Sequence, residues 1–223
     1  MTAPSSDRQA ASLRGFGLVG IIAGLFILAG NALFVPGSAV LALAWTWWSR
    51  TPWREIGYTR PKNWTTAIVA GIAGGAALKV VMKALVMPLL GAPPINEYYH
   101  FLAHNPAAVP SMLYLIITGA GFGEETTFRG YLFERFGKLF GHSAAAKATT
   151  VVITALWFGF SHYATQGVPG TEQAIVTGLI FGGCFAVTGC IWPLMIAHAA
   201  FDLTAYAMIY WDYETTVAHL IFR

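Results

Sequence analysis

Charge is what this sequence has least of: Asp, Glu, Lys and Arg make up 10% of its 223 residues, against about a quarter in soluble globular domains. With 56% hydrophobic residues and a mean hydropathy of +0.58, that scarcity excludes an ordinary water-soluble domain and points to a polytopic membrane protein. Cysteine is nearly absent too. Cys184 and Cys190 are the only two, both in or beside apolar stretches, so they read as packing residues and imply no disulfide framework. No internal repeat or low-complexity tract is visible, which leaves an inverted-repeat transporter without support. A signal-peptide core is also missing. The apolar run 15–34 is too long for one and reads as a retained first span.

What is present is a series of apolar segments, 15–34, 36–49, 63–90, 108–134, 146–163, 172–188 and 191–210. A helix crossing a bilayer needs about 20 apolar residues, so the chain predicts an all-α, polytopic transmembrane helical bundle of about seven spans, the second short enough to be tilted or re-entrant. Segment 50–63, RTPWREIGYTRPKN, carries Pro52, Gly57 and Pro61 and reads as a linker. It divides the chain into N-terminal anchor spans with their linker, 1–62, and a core, 63–223. The thirteen Lys and Arg residues test the span count, because cytoplasmic flanks carry the excess of positive charge. Arg8, Arg14, Arg50, Arg54, Arg60, Lys62, Arg135, Lys138 and Lys147 share one side if the spans alternate, whereas loops 91–107 and 164–171 have none. The N-terminus is therefore expected in the cytoplasm and the C-terminus outside.

Lys79 and Lys83 share a helix face near the outer end of a long span, placed to snorkel or to line a cavity. Small-residue clusters at 70–77, 119–123 and 178–183 let helix backbones approach closely, as a compact bundle requires. Trp45, Trp47, Trp48, Trp53 and Trp64 gather around the linker, as an interfacial belt should. Glu97, His100 and His104 have metal-like spacing but sit among Pro93, Pro94 and Pro106, and read as an ordinary polar loop.

Three polar groups interrupt stretches that are otherwise hydrocarbon: Glu124, Glu125 and Arg129 in GAGFGEETTFRGYLF, His162 in TALWFGFSHY, and His198 with Asp202 in LMIAHAAFDLTAY. An ionisable side chain at mid-bilayer costs roughly 2.5–3.5 kcal/mol on insertion scales, so several together call for a shared, buried reactive centre. On a helix, Glu125 and Arg129 are i, i+4 and can pair, while Glu124 is turned about 100° away and is left free to address another helix. A carboxylate in a partly dry site is suited to take a proton from water. Phe158 and His162 repeat the i, i+4 spacing, as do His198 and Asp202, where a carboxylate can orient an imidazole or join it in holding a metal. The same groups would also serve as a helix-locking ion-pair network or a proton relay. Counting ~1.5 Å per residue from the predicted cytoplasmic ends puts His198 about 10 Å deep and His162 about 21 Å. The three groups meet only if helices are staggered or broken, with Gly159 and Pro193 as candidate irregularities.

EETTFRG, FGFSH and HAAFD match, in order and spacing, the EExxxR, FxxxH and HxxxN-type motifs of one family. The chain resembles the CAAX prenyl protease type 2 and bacteriocin-processing (CPBP, Abi-like) intramembrane endopeptidases over roughly 108–210, including FRGYLF and the WP before the last histidine. The resemblance implies a bundle enclosing a water-accessible intramembrane cavity, opening to the cytoplasmic side, in which a peptide bond is hydrolysed. Glu124 would activate the water, and His162 and His198 with position 202 would steady the oxyanion. Glu125 and Arg129 would hold the first helix, and Phe158 would wall the site. Position 202 departs from the pattern: an ionised Asp202 cannot donate to an oxyanion as Asn does, so it is protonated, orients His198 or ligates a metal. Metal-free glutamate chemistry is favoured, since the HExxH helix is lacking. Zinc, with ligands drawn from Glu124, His162, His198 and Asp202, is the alternative. The expected partners are the lipid bilayer and a membrane-associated protein or peptide substrate, lipidated or not, with no nucleic acid. The expected location is the inner (plasma) membrane of a bacterium. A non-catalytic scaffold or immunity protein, and more remotely a proton-coupled transporter, are the competing functions.

Overall fold

The computed structural model describes residue 10 and residues 13–222, and no strand occurs among them. Arg8, placed with the cytoplasmic cations above, lies outside the described residues. Eight helices follow in order: α1 Leu18–Leu33, α2 Val35–Trp48, α3 Trp64–Leu89, α4 Pro106–Phe140, α5 Ala144–Ser161, α6 Tyr163–Thr188, α7 Trp192–Tyr210 and the short α8 Glu214–Ala218. A helix thus stands at each of the seven apolar segments. Among the described residues, however, the helices long and apolar enough to cross a membrane are α3, α4, α5 and α6. α1, of 16 residues, and α2, of 14, reach about 24 and 21 Å at 1.5 Å per residue, short of a hydrocarbon core about 30 Å thick. Only Phe34, in extended conformation, separates them.

Two predicted features are corrected. The loop expected at 164–171 is helical, because α6 begins at Tyr163 and is broken within its first turns at Gly167 (φ +62°), just before Pro169. Trp45 is not part of an interfacial belt: it is buried, while Trp47, Trp48, Trp53 and Trp64 are exposed as expected.

The glycine clusters decide how close the helices come. α3 packs along α7, and a Cβ on Gly75 would overlap the Ala197 carbonyl, while one on Gly71 would lie 2.8 Å from Ile196. Gly178 of α6 similarly faces Ala155 of α5. These backbone contacts replace the hydrophobic driving force that lipid cannot supply. α4 takes another course. It winds as a π-helix over Leu115–Glu124 and again over Thr126–Leu132. Glycines at 119, 121, 123 and 130 lower its α-helical preference, and the hydroxyls of Thr118 and Thr126 donate to the carbonyls of Tyr114 and Phe122. Gly121 admits the Met195 carbonyl and Gly123 admits Val35, so α4 is clasped between α7 and the start of α2.

The two ends of the bundle differ. At one end Arg135 donates to the carbonyls of Arg14 and Gly15, the Ile191 amide donates to Gly57, and Thr59 donates to Gly189. The linker is thereby docked on the α6–α7 turn. Gly57 sits there at φ +79° with the Phe185 ring where a Cβ would go, which is why glycine is required. Tyr58 continues the docking by bonding Thr126 of α4, oxygen to oxygen 2.7 Å. The opposite end carries Phe34, loop 90–105, the α5–α6 turn and residues 211–222. Every Lys and Arg in a described connection lies at the first end.

Candidate active site

The motif residues converge on the His198 imidazole. His198 is buried on α7, and its Nδ1 donates to Glu125 Oε1 on α4 over 2.7 Å. A carboxylate only accepts, so the proton is on Nδ1 and the ring is turned with Nε2 outward. Nε2 faces Glu124 Oε2 at 3.6 Å and Asp202 Oδ2 at 3.9 Å. Both exceed a direct hydrogen bond, which leaves a shared face where a water or substrate oxygen can be held. Glu125 is sealed from solvent and also receives Arg129 Nη1 at 2.9 Å. The i, i+4 pair predicted from spacing is therefore present, and it reaches on to a second helix. Glu125 Oε2 is buried without a hydrogen-bond partner.

Phe158 is the hub behind this group. Its ring lies 4.7 Å from that of His162 and 5.9 Å from that of His198, both edge-on, and the Arg129 guanidinium stacks over it at 4.8 Å. His162 caps the C-terminus of α5 and turns its Nδ1–H onto the Phe158 carbonyl at 2.7 Å, leaving Nε2 free. The two histidines thus line one cavity but stand on either side of Phe158, without touching.

That cavity, about 870 Å³, explains how residues of different predicted depth can meet. Its walls come from the cation-poor half of every long helix: Lys79 and Lys83 on α3, Leu115 to Glu124 on α4, His162 at the end of α5, Gln173 on α6 and Asp202 to Ile209 on α7. It extends from Glu124 and His198 to residues of loop 92–99 and Glu214, at the end of the bundle that carries those connections. The irregularities that make room are the π segments of α4 and the break at Gly167. Gly159 and Pro193 do not provide them: Gly159 is a close-packing site against Ile175, and Pro193 sits in the first turn of α7. Glu97, His100 and His104 form no cluster with the motif residues: Glu97 and Tyr99 of their loop line the cavity, whereas His100 and His104 do not. Burial, and after it the charge of Asp202, pushes the Tyr99 phenol up to about 12.

Glu214 is the residue that sequence reasoning missed. It is buried, pairs with Lys83 Nζ at 2.8 Å and accepts the Asn96 amide, so it ties α8, α3 and loop 92–99 together. The only available signal was an acid just beyond the last apolar run, and nothing in the sequence indicated its partner.

Zinc can be tested against the donors present. Nδ1 of each histidine is committed to an acceptor and Nε2 is left available, as in a metal-ligating histidine, but among the described residues no group of three or more His, Cys, Asp or Glu side chains is arranged to hold a metal ion. As placed, Glu124, His162, His198 and Asp202 do not form a tetrahedral site.

A bundle of long apolar helices with carboxylates and imidazoles facing one internal cavity defines the class as a polytopic membrane protein. Residues 106–204, which contain all three motifs, match the family model described as type II CAAX prenyl endopeptidase Rce1-like. This agrees with the resemblance carried by EETTFRG, FGFSH and HAAFD, and it supports an endopeptidase integral to the membrane. Comparison with the curated proteins and with solved structures gave no match.

Proposed function

We propose that the protein is an intramembrane endopeptidase that hydrolyses a peptide bond of a membrane-associated protein or peptide by metal-free glutamate chemistry. The observation that supports this most is the division of labour between adjacent acids: Glu125 is sealed and spent on Arg129 and His198, whereas Glu124 is open to the cavity beside His198 Nε2. In this reading Glu124 removes a proton from water, the resulting hydroxide attacks the substrate carbonyl, and Glu124 passes the proton to the leaving amine. His198 Nε2 and His162 Nε2 meet the carbonyl oxygen as it gains charge, each donating when protonated. Phe158 sets the spacing between them, and Asp202 lies one turn beyond His198 on the wall that the substrate passes. Residues 63–223 would form the proteolytic core and 1–62 the anchor spans and linker, with Tyr58 securing the linker to α4.

The same proposal includes an orientation. With the cation-rich end in the cytoplasm, the N-terminus is cytoplasmic and the cavity, built from the opposite half of the bundle, faces away from the cytoplasm. That runs against the cytoplasmic opening implied by the family resemblance, and it favours leader peptides or sorting tails exposed on the outer side of a bacterial plasma membrane. Purified protein incubated with peptides of these classes should yield new termini, mapped by mass spectrometry. Binding without cleavage across a broad peptide set would instead indicate a scaffold or immunity protein.

A further inference from the structure

Among the described residues, two cations line the cavity without a part in the proposed hydrolysis, Lys79 and Lys83, and only Lys79 is left without an ion pair. Lys79 is 7% exposed, lies on the cavity wall, and among the described residues forms no ion pair within 4.0 Å. Its Nζ donates to the neutral Gln173 Oε1 at 2.8 Å and rests over the Phe201 ring at 5.0 Å. Lys83, one turn further on, shows the contrast: it is paired with the Glu214 carboxylate at 2.8 Å. Lysine has three donors, and an ammonium in a membrane-embedded site without a carboxylate is a standing demand for an anion. The carboxylates of Asp202 and Glu214 act on Lys79 only through space, without an ion pair, so its remaining donors are open to a ligand.

The position suits a substrate group. α3 and α7 run side by side, with Gly71 against Ile196 and Gly75 against Ala197, so Lys79 stands beside Phe201, one turn nearer than His198 to the end of the bundle that carries loop 92–99. One turn is about 5.4 Å, the span of about two extended peptide residues. We infer that Lys79, with Gln173 beside it, receives the C-terminal carboxylate of the substrate peptide, and so directs cleavage to peptide that ends inside the cavity, which selects C-terminal tails over leader peptides. This rests on the protease reading for its consequence, but the carboxylate site can be tested without catalysis. A carboxylate on Lys79 gains a charge-assisted bond, which a carboxamide cannot match.

The test uses full-length protein in neutral-lipid nanodiscs and a set of apolar fluorescent peptides, each made with a free carboxylate or a C-terminal carboxamide. Binding is read on Glu124→Gln and cleavage on the wild type. The inference expects the free acids to bind about tenfold more tightly or better, a factor typical of one charge-assisted hydrogen bond. In cleavage, the preference should appear in KM with kcat unchanged, and Lys79→Met should erase it by weakening the acids to the level of the amides. Lys79→Arg should retain it. Equal binding of acid and amide by the protein with Lys79 intact would overturn the inference without recourse to any lysine variant. Persistence of the preference in a folded Lys79→Met protein would do the same. Loss of the preference when phosphatidylglycerol replaces neutral lipid would assign the site to a lipid headgroup, against the inference. Acid-selective binding with no cleavage of any peptide would keep the carboxylate site and discard the protease.

Discussion

Glu125 and His198, 73 positions apart in the chain, meet through a 2.7 Å bond that fixes the proton on Nδ1 and aims Nε2 at Glu124 and Asp202. Glu125 thus positions a second helix as well as its own. Glu125→Gln can accept from Nδ1 but cannot balance Arg129 and the imidazole together. It should lower kcat by up to about 10⁴, the scale found when a carboxylate no longer holds a catalytic histidine in its tautomer. A double-mutant cycle with His198→Ala should be strongly non-additive; independent effects would detach Glu125 from the histidine.

Asp202 does not hold the His198 ring, because Glu125 already does. Asp202→Asn, which restores the side chain common in the resembling family, should therefore keep turnover within a few fold, and exhaustive chelation should leave it unchanged. A collapse under both treatments, restored by zinc, would make Asp202 a ligand.

How much of this could be read beforehand varies with the interaction. Long apolar segments announce helices because lipid demands internally bonded backbone, and the Glu125–Arg129 pair follows from i, i+4 spacing alone. The link to His198 does not, since it depends on how α4 and α7 cross and on the π winding of α4. That winding follows from close packing at Gly121 and Gly123, which no periodicity encodes. Depth counting set His198 and His162 at different levels, and the two stay on either side of Phe158 without touching; what it could not give is the approach of Glu125 on α4 to His198. Glu214 was invisible because its partner, Lys83, is 131 residues away.

Orientation gives a prediction independent of chemistry. In a Cys184→Ser, Cys190→Ser background, Glu97→Cys in loop 92–99 should react with a membrane-impermeant maleimide on intact cells. Arg54→Cys in the linker should react only after permeabilisation. The reverse pattern would turn the cavity toward the cytoplasm.

The linker makes a pH-dependent contribution. Burial pushes the Tyr58 phenol up to about 12, against the opposing effect of its Thr126 hydrogen bond. Between its ordinary value of 10 and about 12 the folded chain keeps a proton that the unfolded chain has lost, so stability falls as pH rises through that window. Tyr58→Phe should remove this part of the alkaline loss and cost about 1 kcal/mol at neutral pH. An unchanged alkaline melting profile would show that the docking of Tyr58 on α4 contributes nothing.

The central claim is that Glu124 activates the water, and its most direct measurement is single-turnover cleavage by wild type and Glu124→Gln in the same lipid, with folding of both verified by thermal melting. The account predicts intact peptide binding and a rate reduced by about 10²–10⁴, the usual worth of a general base. A well-folded Glu124→Gln protein that cleaves at the wild-type rate would contradict it.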